Sequence, residues 1–418
     1  MKILIDDFGE DLYPGRPKIL FIGLAESTHT HSWIDLLGHA EMNVRLFATP
    51  SGSPPGNWPV RTYITQATAL KLDSRTRAKL YPSNRMAKFL KQGLARLIFA
   101  STSEFEERWL AQIIHRWRPD VIHTLGLEPA SYFYMNVRDR FELRRSGKWV
   151  VQVRGGPDLA LFQLLPEYSN RIKNVMHQCD QLIADNEQNY EYALGLGLNK
   201  VKLSSLGVIP GTGGVDVIQL AQSWSGPPSK RKRLILWPKA YECPQGKALP
   251  VFEAIKLAWD KIQPCEVWML ASIPETEMWY WTLPEEIRCH CHIQERIPRE
   301  KVLELMVQAR VMLAPSLADG TPNTMLEAMA AGAFPILSPL ETITHWVENE
   351  RNVLFARNLY PEEIAQALRR AMTDDTLVDR AAEKNLELVT NIGDRSKIRP
   401  RVVEFYETVA KEQGRKKS

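Results

Sequence analysis

The stretch Val311-Met312-Leu313-Ala314-Pro315-Ser316-Leu317-Ala318-Asp319-Gly320-Thr321-Pro322-Asn323-Thr324-Met325-Leu326-Glu327-Ala328-Met329-Ala330-Ala331-Gly332-Ala333-Phe334-Pro335-Ile336-Leu337 decides the fold. Val311 to Ala314 is a short apolar run that reads as a buried strand, and Phe334 to Leu337 reads as another. Pro315 to Gly320 is a loop with Asp319 near its end. Thr321 suits the N-cap and Pro322 the first position of a helix running to Ala331, and Gly332 suits its stop. Strand, helix and strand at this spacing make a βαβ unit. The loop delivers the chain into a helix whose unpaired N–H groups point back at the strand end, a geometry that attracts phosphate.

From Thr321 to Ala333 the only charged residue is Glu327. A helix apolar on every side is buried, and a buried carboxylate must find partners or be neutralised. Two readings of Glu327 stay open: it holds the vicinal hydroxyls of a ribose, or it pairs with an arginine in the core. Asp319 likewise either accepts hydrogen bonds from sugar hydroxyls, with a diphosphate at Asn323 and Thr324, or is a turn residue beside Gly320.

The alternation extends in both directions. Lys18 to Gly23 (KILFIG) reads as a strand, about Thr30 to Ala40 as a helix, and Asn43 to Phe47 as a strand. Val121 to His123, Lys148 to Val153 and Gln181 to Ala184 are further strands. Ser223 to Lys232 (SWSGPPSKRK) breaks the pattern. The pattern then restarts with Leu234 to Leu236, a helix from Leu249 to Asp260, a strand from Glu266 to Leu270 and a helix from Arg299 to Ala309. Two runs of βα units predict an α/β protein of two doubly wound, Rossmann-like domains facing a cleft, with ligands at the strands' carboxyl ends. The expected divisions are residues 1–216, a linker at 217–232, a second domain at 233–392 and a terminal segment at 393–418 with a final helix.

Composition bounds the function. A chain of 418 residues is too long for one core. With 44% hydrophobic and 24% charged residues it is neither disordered nor a fibrous repeat. A net charge of +4 over this length gives no argument for nucleic acid. Five cysteines suggest free thiols in a reducing compartment. The N-terminus lacks the apolar core of a secretory signal, and no stretch is long enough to span a bilayer, so a cytoplasmic protein is expected. Residues 83–99 read as an amphipathic helix with Arg85, Lys88, Lys91 and Arg96 on one face. Such a helix either lies on an anionic membrane surface, at the inner face, or packs its apolar side on the sheet.

The run from Pro315 to Gly332 resembles the signature of family 4 glycosyltransferases: two acids separated by seven residues, then Ala-Met-Ala-x-Gly. Other segments agree with the likeness. Gly23 to Trp33 resembles the family's first loop through Ser27, His29, Thr30 and Trp33. Pro119-Asp120-Val121-Ile122-His123 resembles its Pro-Asp-x-x-His strand end. Arg154-Gly155-Gly156-Pro157-Asp158 resembles its Gly-x-Asp loop, and Pro210 to Asp216 the segment closing its first domain. The resemblance implies the GT-B fold, with the C-terminal helix crossing back to the first domain. It also implies a retaining hexosyltransferase acting from a nucleotide diphosphate sugar onto a saccharide or lipid-linked acceptor, in polysaccharide or glycolipid biosynthesis. Asp319 stands where Glu is usual. Lys239 stands where the family has Arg, and Gln245 where it has Lys, with Lys247 two residues on.

The implied donor site is Lys239, Lys247, Gly320, Thr321, Asn323, Thr324, Met325, Leu326 and Glu327. Asp319, Glu327, Lys239 and His123 are the catalytic candidates. His123 and Arg154 are expected at strand ends facing the cleft, although a structural histidine is as good a reading of His123. Ser27, His29, Arg154 and Asp158 are expected on the acceptor side. Fixed cations and helix donors would stabilise the diphosphate leaving group, so no metal and no cofactor is expected. Two other readings remain: a different GT-B enzyme such as a sugar-nucleotide epimerase, and a non-catalytic, glycosyltransferase-like binding partner.

Three weaker signals have plainer explanations. Cys289-His290-Cys291-His292 lacks a second ligand pair for zinc, and strand alternation would put its cysteines and histidines on opposite faces. Gly211 to Gly214 lacks the strand and helix of a dinucleotide fingerprint. Trp279-Tyr280-Trp281 reads as packing beneath a loop.

Overall fold

The structure, a computed structural model, describes residues 8–65, 75–81, 102–155 and 157–415. The amphipathic segment expected at 83–99 lies outside the described residues. The chain divides into two compact units. One comprises Met1–Arg154, Asp158–Gly213 and Arg399–Ser418, the other Gly155–Pro157 and Gly214–Ile398.

The first unit holds a parallel sheet of β1 (Lys18–Gly23), β2 (Asn43–Ala48), β3 (Arg61–Thr65), β4 (Ala78–Tyr81), β5 (Val121–Leu125), β6 (Lys148–Val153), β7 (Gln181–Ala184) and β8 (Leu203–Val208), in the order β4-β3-β2-β1-β5-β6-β7-β8. The second holds β9 (Leu234–Trp237), β10 (Glu266–Leu270), β11 (Cys291–Gln294), β12 (Val311–Ala314), β13 (Phe334–Leu337) and β14 (Leu354–Phe355), in the order β11-β10-β9-β12-β13-β14. In each sheet the chain winds outward from a central strand, returns, and winds the other way. The strand order therefore reverses between β1 and β5, and between β9 and β12. In open α/β sheets ligands bind at the carboxyl ends beside such a reversal. In both sheets the parallel strands alternate with helices.

Why these strands read as unbroken apolar runs is visible in the second core. Ile235, Trp237, Val311 and Leu313 join the apolar cluster on one face, and Leu234, Leu236, Met312 and Ala314 join the cluster on the other. Side chains alternate across a strand, and helices cover both faces, so every position is buried. The Asn323–Ala331 helix packs on β13 and on three helices, Val217–Gln222, Arg299–Gln308 and Asp375–Ile392. Met325 through Ala331 are buried without exception, hence the lack of a polar face. Among the described residues no helix is long and apolar enough to cross a membrane.

Several expectations need correction. The first helical residue after Gly320 is Asn323. Pro322 is extended (ψ 120°) and precedes the helix, and no side chain caps it. The helix after β1 runs only Thr28–Ile34 and tightens through Asp35–Leu37. Residues 217–232 are no linker. Val217 and Leu220 are buried in the second core, Trp224 Nε1 donates to Ala330 O at 2.8 Å, and Arg231 NH1 donates to Ala331 O at 2.9 Å. Polarity suggested a tether, but the cation caps the negative end of the 323–331 helix. Cys289 follows the Glu285–Arg288 turn rather than lying in a strand, and His290 and His292 both bond Glu266 (3.1 and 2.6 Å). Among the described residues no three side chains form a metal-ligating group. Trp279 and Tyr280 end the Pro274–Tyr280 helix and pack on the core, while Trp281 is exposed. At the tail, Arg395–Arg415 is one helix.

Gly332 has φ +73°, and a Cβ there would lie 2.6 Å from Arg231 NH2 and 2.7 Å from Trp224. Gly332→Ala should therefore lower stability by about 1–3 kcal/mol in urea denaturation, with an unchanged m-value.

Candidate functional site

β9 and β12 are the neighbours between which the second sheet reverses. Chain leaving β9 brings Lys239, and chain leaving β12 brings Asp319. Lys239 Nζ donates to Asp319 Oδ2 at 2.5 Å, with both side chains mostly buried. Burial pulls the ammonium down, but Asp319 beside it outweighs that and holds Lys239 above its ordinary value. The pair sits where the fold presents ligands.

Backbone bonding accounts for the shape of the loop carrying Asp319. Pro315 O accepts from Asn358 Nδ2 at 3.1 Å. Ser316 N donates to Ser338 Oγ at 3.0 Å. Leu317 N and Ala318 N both donate to Gln245 O at 2.7 and 3.3 Å. Asp319 O accepts from Thr342 Oγ1 at 3.0 Å, and Gly320 N donates to Asp319 Oδ1 at 3.0 Å. The loop is thus pinned from β13, β14 and the loop after β9. Gln245, where the family resemblance looked for a second cation, contributes its carbonyl instead.

The Asn323–Ala331 helix begins where this loop ends. The first-turn N–H groups of a helix give it a positive end that attracts anions. Thr324 Oγ1 is buried beside them with no hydrogen-bond partner among the described residues. Thr321 is buried in the turn before the helix. Met325 and Leu326, expected in the donor site, turn their side chains inward. Both are wholly buried in the core, and their N–H groups already bond Pro322 O (3.0 and 3.3 Å). Lys247 Nζ is held by Glu242 Oε1 at 2.8 Å, so its charge is engaged within its own loop.

Glu327 has the arginine partner that one of the two readings required. Arg299 Nε and NH2 donate to its Oε1 at 2.9 and 2.7 Å. Burial pushes the carboxyl up, and Arg299 with Lys239 offsets part of that rise. Arg299 is not in the core, however. Its side chain is 37% exposed, against 9% for Glu327. Both bonds fall on one oxygen, and Oε2 accepts no hydrogen bond among the described residues. Sequence reasoning allowed for an arginine without naming Arg299, and it missed Ser338, Thr342 and Asn358 altogether. None of the four carries a local signal, because each reaches the site from another strand or helix.

In the first unit, Ser27 and His29 follow β1, while Arg154 and Asp158 follow β6. Ser27 precedes the Thr28–Ile34 helix without capping it, and His29 is exposed. Burial lowers the Arg154 guanidinium to about 10 and raises the Asp158 carboxyl to about 6, against the pull of the Leu127 and Arg154 N–H groups. His123 departs from expectation. It is the third of five residues in β5 and has no exposed surface. Burial, with Arg154 adding, holds it well below the usual histidine range, so the ring is neutral. Trp33 Nε1 donates to Tyr406 Oη at 2.9 Å, and Tyr406 Oη lies 2.5 Å from His123 Nδ1. The indole donates to the phenol oxygen, and that oxygen is joined in turn to Nδ1 of the neutral ring. The strand runs two residues beyond His123, so the C-terminal helix covers the ring. His123 is a core residue.

Replacing Arg299 leaves a buried carboxylate unpaired. Glu327 prefers its neutral form in the folded state, so it opposes folding least at low pH and more as pH rises through its elevated pKa. Arg299→Ala should cost about 1–2 kcal/mol at pH 8, less than for a wholly buried pair because Arg299 is partly exposed. The loss should shrink toward pH 5, as read from urea midpoints across that range.

Comparison with known proteins gives three findings. The family model described as Glycosyl transferases group 1 matches residues 246–374, the segment with Lys247, Asp319 and Glu327. No curated protein matches the sequence. Solved structures match over almost the whole chain. HepE of Anabaena in complex with UDP-glucose is 12% identical, with TM-score 0.63 over 93% of this chain and 98% of that one. Sucrose-phosphate synthase from Thermosynechococcus elongatus is 15% identical, with TM-score 0.66 over 94% and 99%. A glycosyltransferase from Rickettsia africae is 13% identical, with TM-score 0.63 over 94% and 99%. At these identities the structural likeness establishes architecture: the chain has the GT-B fold, and over residues 246–374 its sequence is similar to the group 1 glycosyl transferases.

Proposed function

We propose that this chain is a retaining glycosyltransferase of hexosyltransferase type. It moves a sugar from a nucleotide diphosphate sugar to a saccharide or lipid-linked acceptor, without a metal. The observation that carries the reading is the Lys239–Asp319 pair, set between β9 and β12 next to the first turn of the Asn323–Ala331 helix. A fixed cation, the positive end of the Asn323–Ala331 helix and the Thr324 hydroxyl, unpartnered among the described residues, suit a diphosphate, and the carboxylate suits sugar hydroxyls. Further support comes from the family likeness at residues 246–374 and from a fold neighbour described in complex with UDP-glucose.

In this mechanism a donor exchanges partners with the protein. The diphosphate takes Lys239 and the first-turn N–H groups, and Asp319, released, accepts from the sugar. Arg299 keeps Oε1 of Glu327 occupied, leaving Oε2 for a ribose hydroxyl. As the bond to the leaving diphosphate breaks, negative charge grows on it. Lys239 and the helix N-terminus stabilise that charge with no reorganisation, which does the work a metal otherwise does. The acceptor attacks from the leaving-group face, so the anomeric configuration is retained. Ser27, His29, Arg154 and Asp158 are the first unit's candidates for the acceptor. Burial raises the Asp158 carboxyl to about 6, close enough to neutrality for it to accept and return a proton.

A thermal-shift screen against UDP-, GDP- and ADP-sugars should raise the melting temperature with one nucleotide class, since binding to the folded state stabilises it. No shift across the panel rejects the proposal. With the responding donor, Glu327→Gln should abolish measurable binding by calorimetry. Lys239→Ala should lower kcat by about 100- to 1,000-fold, and EDTA should leave turnover unchanged. Proton NMR of the product should show the donor's anomeric configuration.

A further inference from the structure

Lys239 and Asp319 come from two different loops, and their pairing requires those loops to stay in register. We propose that Asn358 is the positioning residue that holds them there. It follows β14 and is 2% exposed. Its Oδ1 accepts the Lys247 N–H at 2.9 Å, while Nδ2 donates to Lys247 O and Pro315 O, both at 3.1 Å. Lys247 closes the loop that Lys239 opens after β9. Pro315 opens the loop that carries Asp319 after β12. One buried amide thus clasps the end of one loop to the start of the other.

Three features make this a brace rather than incidental packing. Asn358 bonds main-chain atoms on both sides, so it fixes backbone rather than the tip of a flexible side chain. Its acceptor and both its N–H donors have partners, as a buried amide requires. The loops are also joined directly: Cys243 and Gly246 pair with each other, and between them Gln245 O takes the N–H groups of Leu317 and Ala318. A shift at Lys247 or Pro315 would therefore pass along both loops to the Lys239–Asp319 pair. Ser338 anchors Ser316 to Ala356 O, but it holds only one of the two loops. Asn358 joins both without touching Lys239, Asp319 or Glu327 through any hydrogen bond.

Aspartate is the informative substitution. Asn358→Asp keeps the size and the acceptor for Lys247 N–H, but its ionised form sets a buried charge against two carbonyl oxygens. Protonation restores one donor, so the brace should weaken at high pH and recover at low pH.

The functional consequence rests on the donor reading, so the test has one arm without ligand. By hydrogen exchange, Asn358→Asp at pH 8 should lose at least about tenfold protection at the amides of Lys247, Leu317 and Ala318, with β9 and β12 unchanged. Protection factors should recover near pH 5. Unchanged protection, or a uniform loss across the second unit, overturns the proposal. In the second arm, calorimetry and turnover with UDP-, GDP- and ADP-glucose should show kcat reduced by about 10- to 100-fold, again with recovery at low pH relative to the parent chain. Parent-like kcat in a parent that does turn over refutes the positioning role. A parent that binds none of the three defeats the donor reading instead, and hydrogen exchange still decides whether Asn358 holds the loops.

Discussion

A carboxylate inside a helix with no polar face has to be paired or neutralised, and the surroundings of Glu327 are organised by that constraint. The Asn323–Ala331 helix is covered by β13 and by three other helices. The helix has no basic residue of its own, so the partner comes from the start of the Arg299–Gln308 helix. Burying both charges fully would cost more than their attraction returns. The protein leaves the guanidinium partly in water and buries only the acid. The same burial fixes where the helix begins, and with it the positive helix end that follows the loop after β12.

The doubly wound order supplies the second half of the site. Because β9 and β12 are adjacent but far apart in sequence, Lys239 and Asp319 meet across 80 residues. Their loops are held by main-chain hydrogen bonds from Gln245, Ser338, Thr342 and Asn358. Fixed donors and charges are what electrostatic stabilisation of a leaving group demands, since dipoles already in place need no reorientation when charge develops. The first unit repeats the topology with different chemistry at its reversal. There a histidine bonded to Tyr406 falls under the C-terminal helix and is kept neutral by burial, with Arg154 adding.

Much of this was legible in the order of residues. Runs such as Lys18–Gly23, Lys148–Val153 and Phe334–Leu337 are strands end to end, because a strand buried on both faces is built mainly from apolar residues. Gly332 marks the helix end because few other residues tolerate φ +73°. Polarity misled at 217–232, where Trp224 and Arg231 dock on the end of a distant helix. Position misled at His123, since nothing local says that β5 continues to Leu125 or that Tyr406 arrives from the C-terminal helix.

The sequence by itself determined the alternation of strands and helices, the two-unit fold class and the lone acid in an apolar helix, because periodicity and composition are local properties. Only the tertiary structure decided that Glu327 pairs with Arg299, that Lys239 is held by Asp319 while Lys247 is taken by Glu242, and that Asn358 spans two loops. Each of those bonds joins residues brought together by strand order, and a hydrogen bond is set by distances of about 3 Å that no local pattern encodes.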